Sequence, residues 1–302
     1  KKKKIAVVGA GPAGLAASTI AAQRGHDVTL FDADNEIGGQ FNMAKQIPGK
    51  EEFYETIRYF NSQITLHNVK VKLNTRVKAE DLKNGNFEEV ILATGIQPRT
   101  PKIIGINHPK VINYIDVLKL KKPVGKRVAV IGAGGIAFDV SEYIAHEGES
   151  TSLNIDAWLK EWGIDKNMTA RSGIEGVEAM VHPSPREIFM FKRSKGKFGA
   201  NLGKTTGWIH RSTLKKKNVQ FINNVQYTKI DDEGLHYVQN EQQKVLPVDT
   251  VIICAGQLSL KELLAPLEAE GIKVHSVGGA DVASELDAKR AINQASRLAA
   301  EI

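Results

Sequence analysis

The sequence predicts an α/β fold that contains two Rossmann-like dinucleotide-binding domains. Residues 4–32 read as an apolar strand, a glycine-rich turn, an alanine-rich helix and a second strand, which together make one βαβ unit. Residues 126–148 repeat the strand, the turn and the helix. A chain of 302 residues is long enough for about two domains. Further short strands are predicted at residues 187–193, 219–222, 235–239 and 251–255, and a closing helix at 288–302. Two such units in one chain imply two bound nucleotides.

Composition excludes several classes of protein. The net charge of +7, with 42% hydrophobic and 25% charged residues, is typical of a globular protein. One cysteine cannot form an internal disulfide, a cysteine-rich zinc site or an iron–sulfur cluster within this chain. The sequence has no apolar stretch long enough to span a bilayer and no signal-peptide core, so we expect a cytoplasmic protein. We interpret Lys1 to Lys4 as a solvated lead-in from an upstream segment, with a basic contact to an acidic partner as the alternative.

The first glycine turn, GAGPAG, contains Gly9, Gly11 and Gly14. In this pattern the first glycine allows a tight turn, the second lets the backbone approach a pyrophosphate, and the third permits close packing of helix on strand. The N-terminus of the following helix presents N–H groups and a positive dipole to the phosphates. Asp32 ends the second strand, where a carboxylate can bind a ribose hydroxyl. We therefore predict a dinucleotide site at this turn.

The second glycine turn contains Gly132 and Gly134, with Gly135 added and Ala137 in the third place. At the end of the strand that follows, the acidic residue is replaced by the cations Lys192 and Arg193, with Lys195 just beyond. A cation near the ribose accommodates a 2′-phosphate, which a carboxylate would repel. This pattern favours NADPH over NADH. The alternative is that these three residues are ordinary solvated surface cations.

An insertion near residues 149–184 separates the second helix from that strand. Within it, Ile155, Trp158, Leu159 and Trp162 have the spacing of an amphipathic helix. We expect both tryptophans to bury this helix against the second domain. The alternative is a docking surface for a partner or for nicotinamide.

Other motifs argue against other functions. The segment GANLGKTT departs from the spacing of an ATP-binding loop, and the chain has neither the zinc-protease pattern HExxH nor the hydrolase pattern GxSxG. Cys254 lies in the apolar run VIICAG without a second cysteine nearby, which predicts a buried core thiol and excludes a thioredoxin-reductase dithiol in this chain. The lysines lack the interleaved aromatic residues of a nucleic-acid surface.

Six segments together resemble a known family. They are GAGPAG, EIGGQFNMAKQIPGKEEF from Glu36, VILATG from Val90, GAGGIAFD from Gly132, LGKTTGWIHR from Leu202 and GGADVASELDAKRAI from Gly278. The chain resembles the C-terminal part of the bacterial 2,4-dienoyl-CoA reductase family, of the FMN, FAD and iron–sulfur type related to trimethylamine dehydrogenase.

The resemblance implies an FAD-binding domain interrupted by an NADPH-binding domain. The FAD domain would comprise residues 1–125 and 250–302, and the NADPH domain residues 126–249. In the family, an N-terminal barrel with FMN and a 4Fe-4S cluster precedes this part, so both groups would lie upstream of Lys1.

The resemblance also implies roles for individual residues. The FAD pyrophosphate would lie against the first turn, which includes Pro12 and Ala13, and Asp32 would hold the adenosine ribose. Further FAD contacts would be Gln40 and Lys50 at the ribityl or phosphate region, Val77 at the adenine, Asp281 at the ribityl or pyrophosphate group, and Ala288 to Ala291 at the flavin N1 and O2 edge. Thr94 and Gly95 would mark the crossover between domains. NADPH would be held by Gly132, Gly134, Gly135, Ile136, Lys192, Arg193 and Lys195.

The leading hypothesis is an NADPH-to-FAD hydride transfer module of a 2,4-dienoyl-CoA reductase-like enzyme of fatty acid β-oxidation. It would relay electrons to the upstream iron–sulfur and FMN domain, and no side chain of this chain is expected to act as a catalytic acid or base. One alternative is a free-standing NADPH:acceptor reductase of the ferredoxin-reductase type. Another is a nucleotide-binding module without turnover.

Overall fold

The computed structural model describes residues 1–283 and 287–302, which form two compact units. Unit 1 comprises Lys1–Lys45, Glu52–Arg99 and Gln257–Ile302, and unit 2 comprises Gln46–Glu51 and Thr100–Gly256. Unit 1 is therefore discontinuous in sequence. Apart from the short segment Gln46–Glu51, the chain changes units after Arg99 and after Gly256, whereas the sequence suggested boundaries after residues 125 and 249.

The elements are numbered along the chain. The strands are β1 (Lys4–Val8), β2 (Asp27–Phe31), β3 (Lys70–Lys72), β4 (Glu89–Leu92), β5 (Ile96–Pro98), β6 (Val111–Asn113), β7 (Arg127–Ile131), β8 (Glu187–Phe191), β9 (Gln220–Ile222), β10 (Val225–Asp231), β11 (Gly234–Gln239), β12 (Gln242–Leu246), β13 (Thr250–Ile253), β14 (Gln257–Ser259) and β15 (Lys273–Ser276). The helices are α1 (Pro12–Gln23), α2 (Phe41–Ala44), α3 (Phe53–Leu66), α4 (Ala79–Asn84), α5 (Tyr114–Leu118), α6 (Gly135–Ile144), α7 (Ile155–Trp162), α8 (Gly207–Lys216), α9 (Leu264–Ala269) and α10 (Ala288–Glu301).

Each unit is built on a five-stranded parallel sheet in which four strands have the same order, whereas the edge strand comes last along the chain in unit 1 (β15) and first in unit 2 (β6). In unit 1 the order is β15-β4-β1-β2-β3, and in unit 2 it is β6-β13-β7-β8-β9. The strand order reverses beside β1 and beside β7, and each of these strands runs into a glycine turn. Crevices at such reversal points bind ligands in parallel α/β sheets. The prediction of an α/β fold with two Rossmann-like domains is confirmed.

Two smaller sheets accompany the parallel ones. Unit 1 has an antiparallel pair of β5 and β14, and unit 2 has a three-stranded antiparallel sheet in the order β10-β11-β12. The antiparallel sheet of unit 2 packs its buried residues Leu235 and Tyr237 into the same core as Phe191 of β8. It therefore braces the strand whose end bears the predicted NADPH cations.

The core of unit 1 surrounds helix α1. Alanines allow this helix to pack closely, with Ala16, Ala17 and Ala21 buried against strand residues such as Val7 and Leu30. Pro12 begins the helix, where its missing N–H costs no hydrogen bond. Helices α1 and α10 pack together, so the C-terminal helix completes the core of unit 1.

The buried carboxylate of Glu89 ties three parts of unit 1 together. It accepts hydrogen bonds from Lys3 at 2.5 Å, Lys273 at 3.2 Å and His275 at 2.7 Å. Burial alone would raise the pKa of Glu89, but these hydrogen bonds lower it to about 2. Lys3 is therefore held by an ion pair, so the interpretation of the N-terminal lysines as a solvated lead-in is wrong for this residue.

The amphipathic helix of the insertion is present as α7, but its predicted burial is wrong. No residue of α7 is buried, and Trp158 is 39% exposed. One contact with the rest of unit 2 is a cation–π contact, in which Lys216 Nζ lies 4.0 Å from the Trp162 ring centroid. The spacing gave the helix correctly, whereas the depth of its apolar face depends on neighbours that periodicity does not specify. Among the described residues, no helix has the length and apolar character needed to cross a membrane.

Candidate nucleotide sites

The backbone conformation and the close packing of the protein require glycine at the first position of each turn. Gly9 has φ 107° and its N–H donates to Phe31 O at 2.8 Å, while a Cβ at this position would lie 2.3 Å from Ala93 O. Gly132 repeats this geometry, with φ 150° and an N–H that donates to Phe191 O at 3.0 Å. Only glycine adopts these angles without strain and leaves room for the neighbouring strand.

Neither the backbone conformation nor the packing of the protein requires glycine at the second position of each turn. Gly11 and Gly134 cap α1 and α6 with φ of −79° and −94°, angles that any residue adopts. A Cβ on Gly11 would approach nothing closer than 3.9 Å, and one on Gly134 would meet nothing within 4 Å. Neither helix has a side-chain N-cap. The missing side chains therefore leave bare N–H groups facing open space, which fits the approach of a pyrophosphate.

The third position distinguishes the two turns. A Cβ on Gly14 would lie 1.7 Å from Gly9 O, so α1 packs against its turn more closely than any side chain permits. The corresponding residue of α6 is Ala137, which is buried, so the second turn accommodates a methyl group at this position. Gly135 is exposed beside this position, and a Cβ there would meet only Leu202, at 4.0 Å.

Asp32 and Lys192 occupy equivalent positions, because each directly follows the strand that lies next to the glycine-turn strand in its sheet. Asp32 follows β2, and its carboxylate accepts the N–H groups of Ala10 at 2.5 Å and Asp34 at 2.8 Å. Lys192 follows β8, and its ammonium donates to Lys197 O at 2.9 Å. The Asp32 carboxylate is thus fixed beside the first turn, with lone pairs left over for a ribose hydroxyl.

Arg193 and Lys195 extend this cationic segment. Both side chains are exposed, and neither forms an ion pair with a carboxylate in the part of the chain that the structure describes. Their charges are therefore available to an anionic ligand.

The GGQ segment of unit 1 packs directly on the first turn. Gly38 N–H donates to Ala10 O at 2.8 Å, and a Cβ on Gly39 would lie 2.8 Å from Gly11 Cα. Gln40 follows as the N-cap of α2. Gln40 is therefore held in the same part of unit 1 as the bare N–H groups of α1.

The other predicted FAD residues of unit 1 lie on separate elements. Val77 is buried in the core, so only its backbone remains for an adenine contact. Thr94 Oγ1 donates to Leu260 O at 2.6 Å, and Gly95 O accepts the Leu260 N–H at 3.0 Å. Thr94 and Gly95 thus fasten the second and third segments of unit 1 together, and the change of unit comes after Arg99.

Asp281 is held by a residue that the sequence analysis missed. Gln294 of α10 donates to Asp281 Oδ2 at 2.8 Å and accepts the Gly278 N–H at 2.8 Å. The Gln294 side chain thus forms hydrogen bonds with both ends of the GGAD segment, and nothing in the sequence singles it out. Residues 284–286 of the quoted GGADVASELDAKRAI segment lie outside the described residues.

The N-terminus of α10 carries its own cap. Asp287 Oδ1 accepts the Lys289 N–H at 2.9 Å. Ala288 is the first residue of the helix, and Ala291 packs against the core around α1. The carboxylate of Asp287 therefore shares this positive end of the helix with any ligand that binds there.

Lys50 belongs to unit 2 rather than to the unit with the other predicted FAD residues. Its ammonium lies 2.5 Å from Asp139 Oδ1 of α6. Three residues further along α6, Glu142 pairs with His210 of α8 at 2.8 Å. Burial raises the pKa of Glu142, and the hydrogen bond that His210 donates to the Glu142 carboxylate raises the pKa of His210. The spacing of Asp139 and Glu142 on one helix face could have indicated this cluster.

The prediction for Cys254 is corrected in part. It follows the end of β13 rather than lying inside the strand, and it is half-buried rather than in the core. The Cys254 thiol is free, and burial raises its pKa, with Asp139 adding to the effect. Such a thiol is a poor nucleophile at neutral pH.

Comparisons with known proteins agree with this geometry. A family model described as pyridine nucleotide-disulphide oxidoreductase matches residues 3–291. The chain is 28% identical over 281 residues to a metal reductase of Desulforamulus reducens, covering 92% of this chain and 41% of that protein. It is 29% identical over 285 residues to an NADH oxidase of Thermoanaerobacter brockii, covering 92% and 38%.

A solved structure of 2-naphthoyl-CoA reductase with 2-naphthoyl-CoA is similar along the whole chain. The TM-score is 0.82 at 27% identity, and the match covers 100% of this chain and 40% of that one. The chain thus spans about two fifths of the length of each of these three proteins.

Proposed function

Since the chain belongs to the pyridine nucleotide-disulphide oxidoreductase family, we propose that it transfers hydride from NADPH bound to unit 2 to FAD bound to unit 1. A flavin-dependent pyridine nucleotide oxidoreductase needs two nucleotide sites of this kind. The observation that carries the assignment is the pair of equivalent turns, one followed by Asp32 and the other by Lys192. A carboxylate suits the ribose hydroxyl of FAD, and a cation suits the 2′-phosphate of NADPH.

Each nucleotide has a set of residues that fits it. In unit 1, the backbone from Gly9 to Gly14 holds the FAD pyrophosphate, Asp32 holds the adenosine ribose, and Asp281 holds the ribityl or pyrophosphate group. In unit 2, the turn from Gly132 to Ile136 holds the NADPH pyrophosphate, and Arg193 holds the 2′-phosphate together with its neighbouring cations.

This chain contributes placement and electrostatics rather than acid–base chemistry. Bound FAD supplies a ring that accepts hydride and passes on single electrons. The protein must hold the donor and acceptor carbons about 3–3.5 Å apart. The N-terminal N–H groups of α10 would stabilise negative charge on the ring of a flavin bound there. Hydride transfer moves the hydrogen together with its electron pair, so it needs no side-chain proton donor in either unit.

We further propose that the electrons leave for an iron–sulfur and FMN domain on the same polypeptide and reduce 2,4-dienoyl-CoA during fatty acid β-oxidation in the cytoplasm. The coverage of only about two fifths of the relatives supports a missing partner domain. The similarity to a protein solved with a CoA thioester supports an acyl-CoA substrate for the whole enzyme.

The experiment uses the purified chain loaded with FAD. We expect NADPH oxidation with an artificial electron acceptor and no turnover of 2,4-dienoyl-CoA. Reduction of 2,4-dienoyl-CoA by this chain alone would contradict the proposed division of labour. Reading the coding sequence upstream for a barrel with clustered cysteines distinguishes this proposal from a free-standing NADPH:acceptor reductase.

A further inference from the structure

A pocket of unit 2 lies between the segment after β8 and helix α8. Its volume is about 470 Å³. Aromatic and basic side chains dominate its wall, and none of the lining residues is acidic. The residues that matter here are Lys197, Phe198, Trp208, Arg211, Lys215 and Phe221. A basic pocket with aromatic faces suits a planar ligand that carries phosphate.

Hydrogen bonds connect this pocket to the second glycine turn. Gly199 N–H donates to Ala133 O of that turn at 3.0 Å. Arg211 Nη1 in turn donates to Gly199 O at 3.2 Å. On its other side, the pocket is lined by Lys197. The carbonyl oxygen of Lys197 accepts a hydrogen bond from Lys192 Nζ at 2.9 Å, which ties the pocket to the cationic segment after β8. The pocket therefore adjoins both parts of the pyridine-nucleotide site.

The aromatic wall is fixed but partly open. Trp208 is 57% exposed, and its indole N–H donates to Thr205 O at 2.9 Å, which orients the ring. Phe198 and Phe221 form the inner wall with ring centroids 5.0 Å apart. An exposed, oriented indole offers a face on which a purine can stack.

In the basic wall, the positive charge of Lys215 is available to a ligand. Lys215 is exposed and forms no ion pair with any carboxylate of the described residues. The neighbouring Lys216 instead lies over the Trp162 ring. Of these two adjacent lysines of α8, Lys215 therefore lines the pocket, whereas Lys216 contacts helix α7.

We propose that this pocket binds the adenosine 2′-phosphate end of NADPH, with the adenine on Trp208 and the 2′-phosphate beside Lys215. This inference rests on the proposed function, and it adds two residues of α8 to the cations Lys192, Arg193 and Lys195 as determinants of nucleotide specificity.

The test is a calorimetric titration of the full chain with four probes: adenosine 2′,5′-bisphosphate, AMP, NADPH and NADH. Lys215→Gln should weaken the bisphosphate and NADPH about tenfold or more, because one charge-assisted contact to phosphate is lost. AMP and NADH should be unaffected by this change. Trp208→Ala should weaken all four probes, by about fivefold or more, because each contains the adenine.

Lys216→Gln is the matched control, since it removes the same charge from the same helix outside the pocket. It should bind all four probes as the wild type does. Circular dichroism of each variant confirms that the fold is retained. Wild-type affinity of Lys215→Gln for the bisphosphate, or an equal loss for AMP, would overturn the inference.

The outcomes also separate this inference from the proposed function. If the wild type prefers the bisphosphate to AMP and Lys215→Gln keeps that preference, only the pocket assignment fails. If Lys215→Gln loses the preference but NADPH never reduces the bound flavin, the pocket assignment stands and the hydride transfer fails. A wild type that binds AMP and the bisphosphate equally overturns the pocket and the NADPH preference together.

Discussion

Lys192 occupies in unit 2 the position that Asp32 occupies in unit 1. Each residue directly follows the second strand of its glycine-turn unit, and each donates its backbone N–H to the end of the next strand. Asp32 donates to Lys72 O at 3.0 Å, and Lys192 donates to Ile222 O at 2.9 Å. One backbone geometry therefore presents opposite charges at these two equivalent positions.

Arg193→Glu tests the sign of this charge. We expect the variant to lose about 2–4 kcal/mol of its preference for NADPH over NADH, because a carboxylate would repel the 2′-phosphate. Steady-state kinetics with each nucleotide measure the preference. Lys261→Glu, the same charge change at an exposed position of unit 1, is the control. An Arg193→Glu variant with wild-type preference removes this residue from the assignment.

Two glycines of the second turn should respond differently to alanine. Gly134→Ala should change the free energy of unfolding by no more than about 0.5 kcal/mol, because its φ and its surroundings accept a side chain. It should nevertheless weaken NADPH about tenfold by blocking the bare N–H groups. Gly132→Ala should lose about 2 kcal/mol or more of stability, since its Cβ would lie 2.5 Å from Cys254 O.

Urea unfolding and nucleotide titration of both variants check this pair. Normal NADPH binding by a stably folded Gly134→Ala variant would show that the open space at this glycine does not receive the pyrophosphate.

Glu89→Gln should lower the free energy of unfolding by about 3 kcal/mol at neutral pH. The pKa of Glu89 is about 2 in the folded chain against an ordinary value of 4.5. Because the folded value is the lower one, the stabilisation is complete above the ordinary value and is lost as the pH falls through about 2. Urea unfolding across this range should therefore show the two proteins converging in acid. Glu268→Gln, which changes an exposed carboxylate of α9, is the control, and a constant difference at every pH would refute the ion-pair explanation.

Gln294→Leu should weaken FAD about tenfold, because it removes both hydrogen bonds that hold the segment from Gly278 to Asp281. Fluorescence titration of the chain with FAD measures the affinity. Asn293→Ala changes the neighbouring, exposed amide of α10 and should bind FAD normally. Equal effects of the two substitutions would argue against a positioning role for Gln294.

The sequence predicted the repeated local units well. Strand, turn and helix around Gly9 and Gly132 follow from short-range chemistry, since positive φ, a free helix N-terminus and an alanine-rich face are all encoded within a few residues. The contrast between Asp32 and Lys192 was also visible, although the insertion separates Lys192 from its turn.

Local sequence patterns do not predict the long-range contacts. The ion pair of Lys50 with Asp139 joins segments far apart in the chain, and it draws Lys50 into unit 2. The exposure of Trp158 depends on what packs beside α7, which its periodicity does not encode. Gln294 lies on a helix whose apolar spacing predicts packing and says nothing of a hydrogen-bond bridge.

The most direct test of the central claim is anaerobic stopped-flow mixing of the FAD-loaded chain with NADPH or NADH. If unit 2 presents NADPH to the flavin of unit 1, the visible flavin band should bleach rapidly with NADPH and at least about tenfold more slowly with NADH at the same subsaturating concentration. A flavin that stays oxidised with both nucleotides would contradict hydride transfer and identify a binding module without turnover.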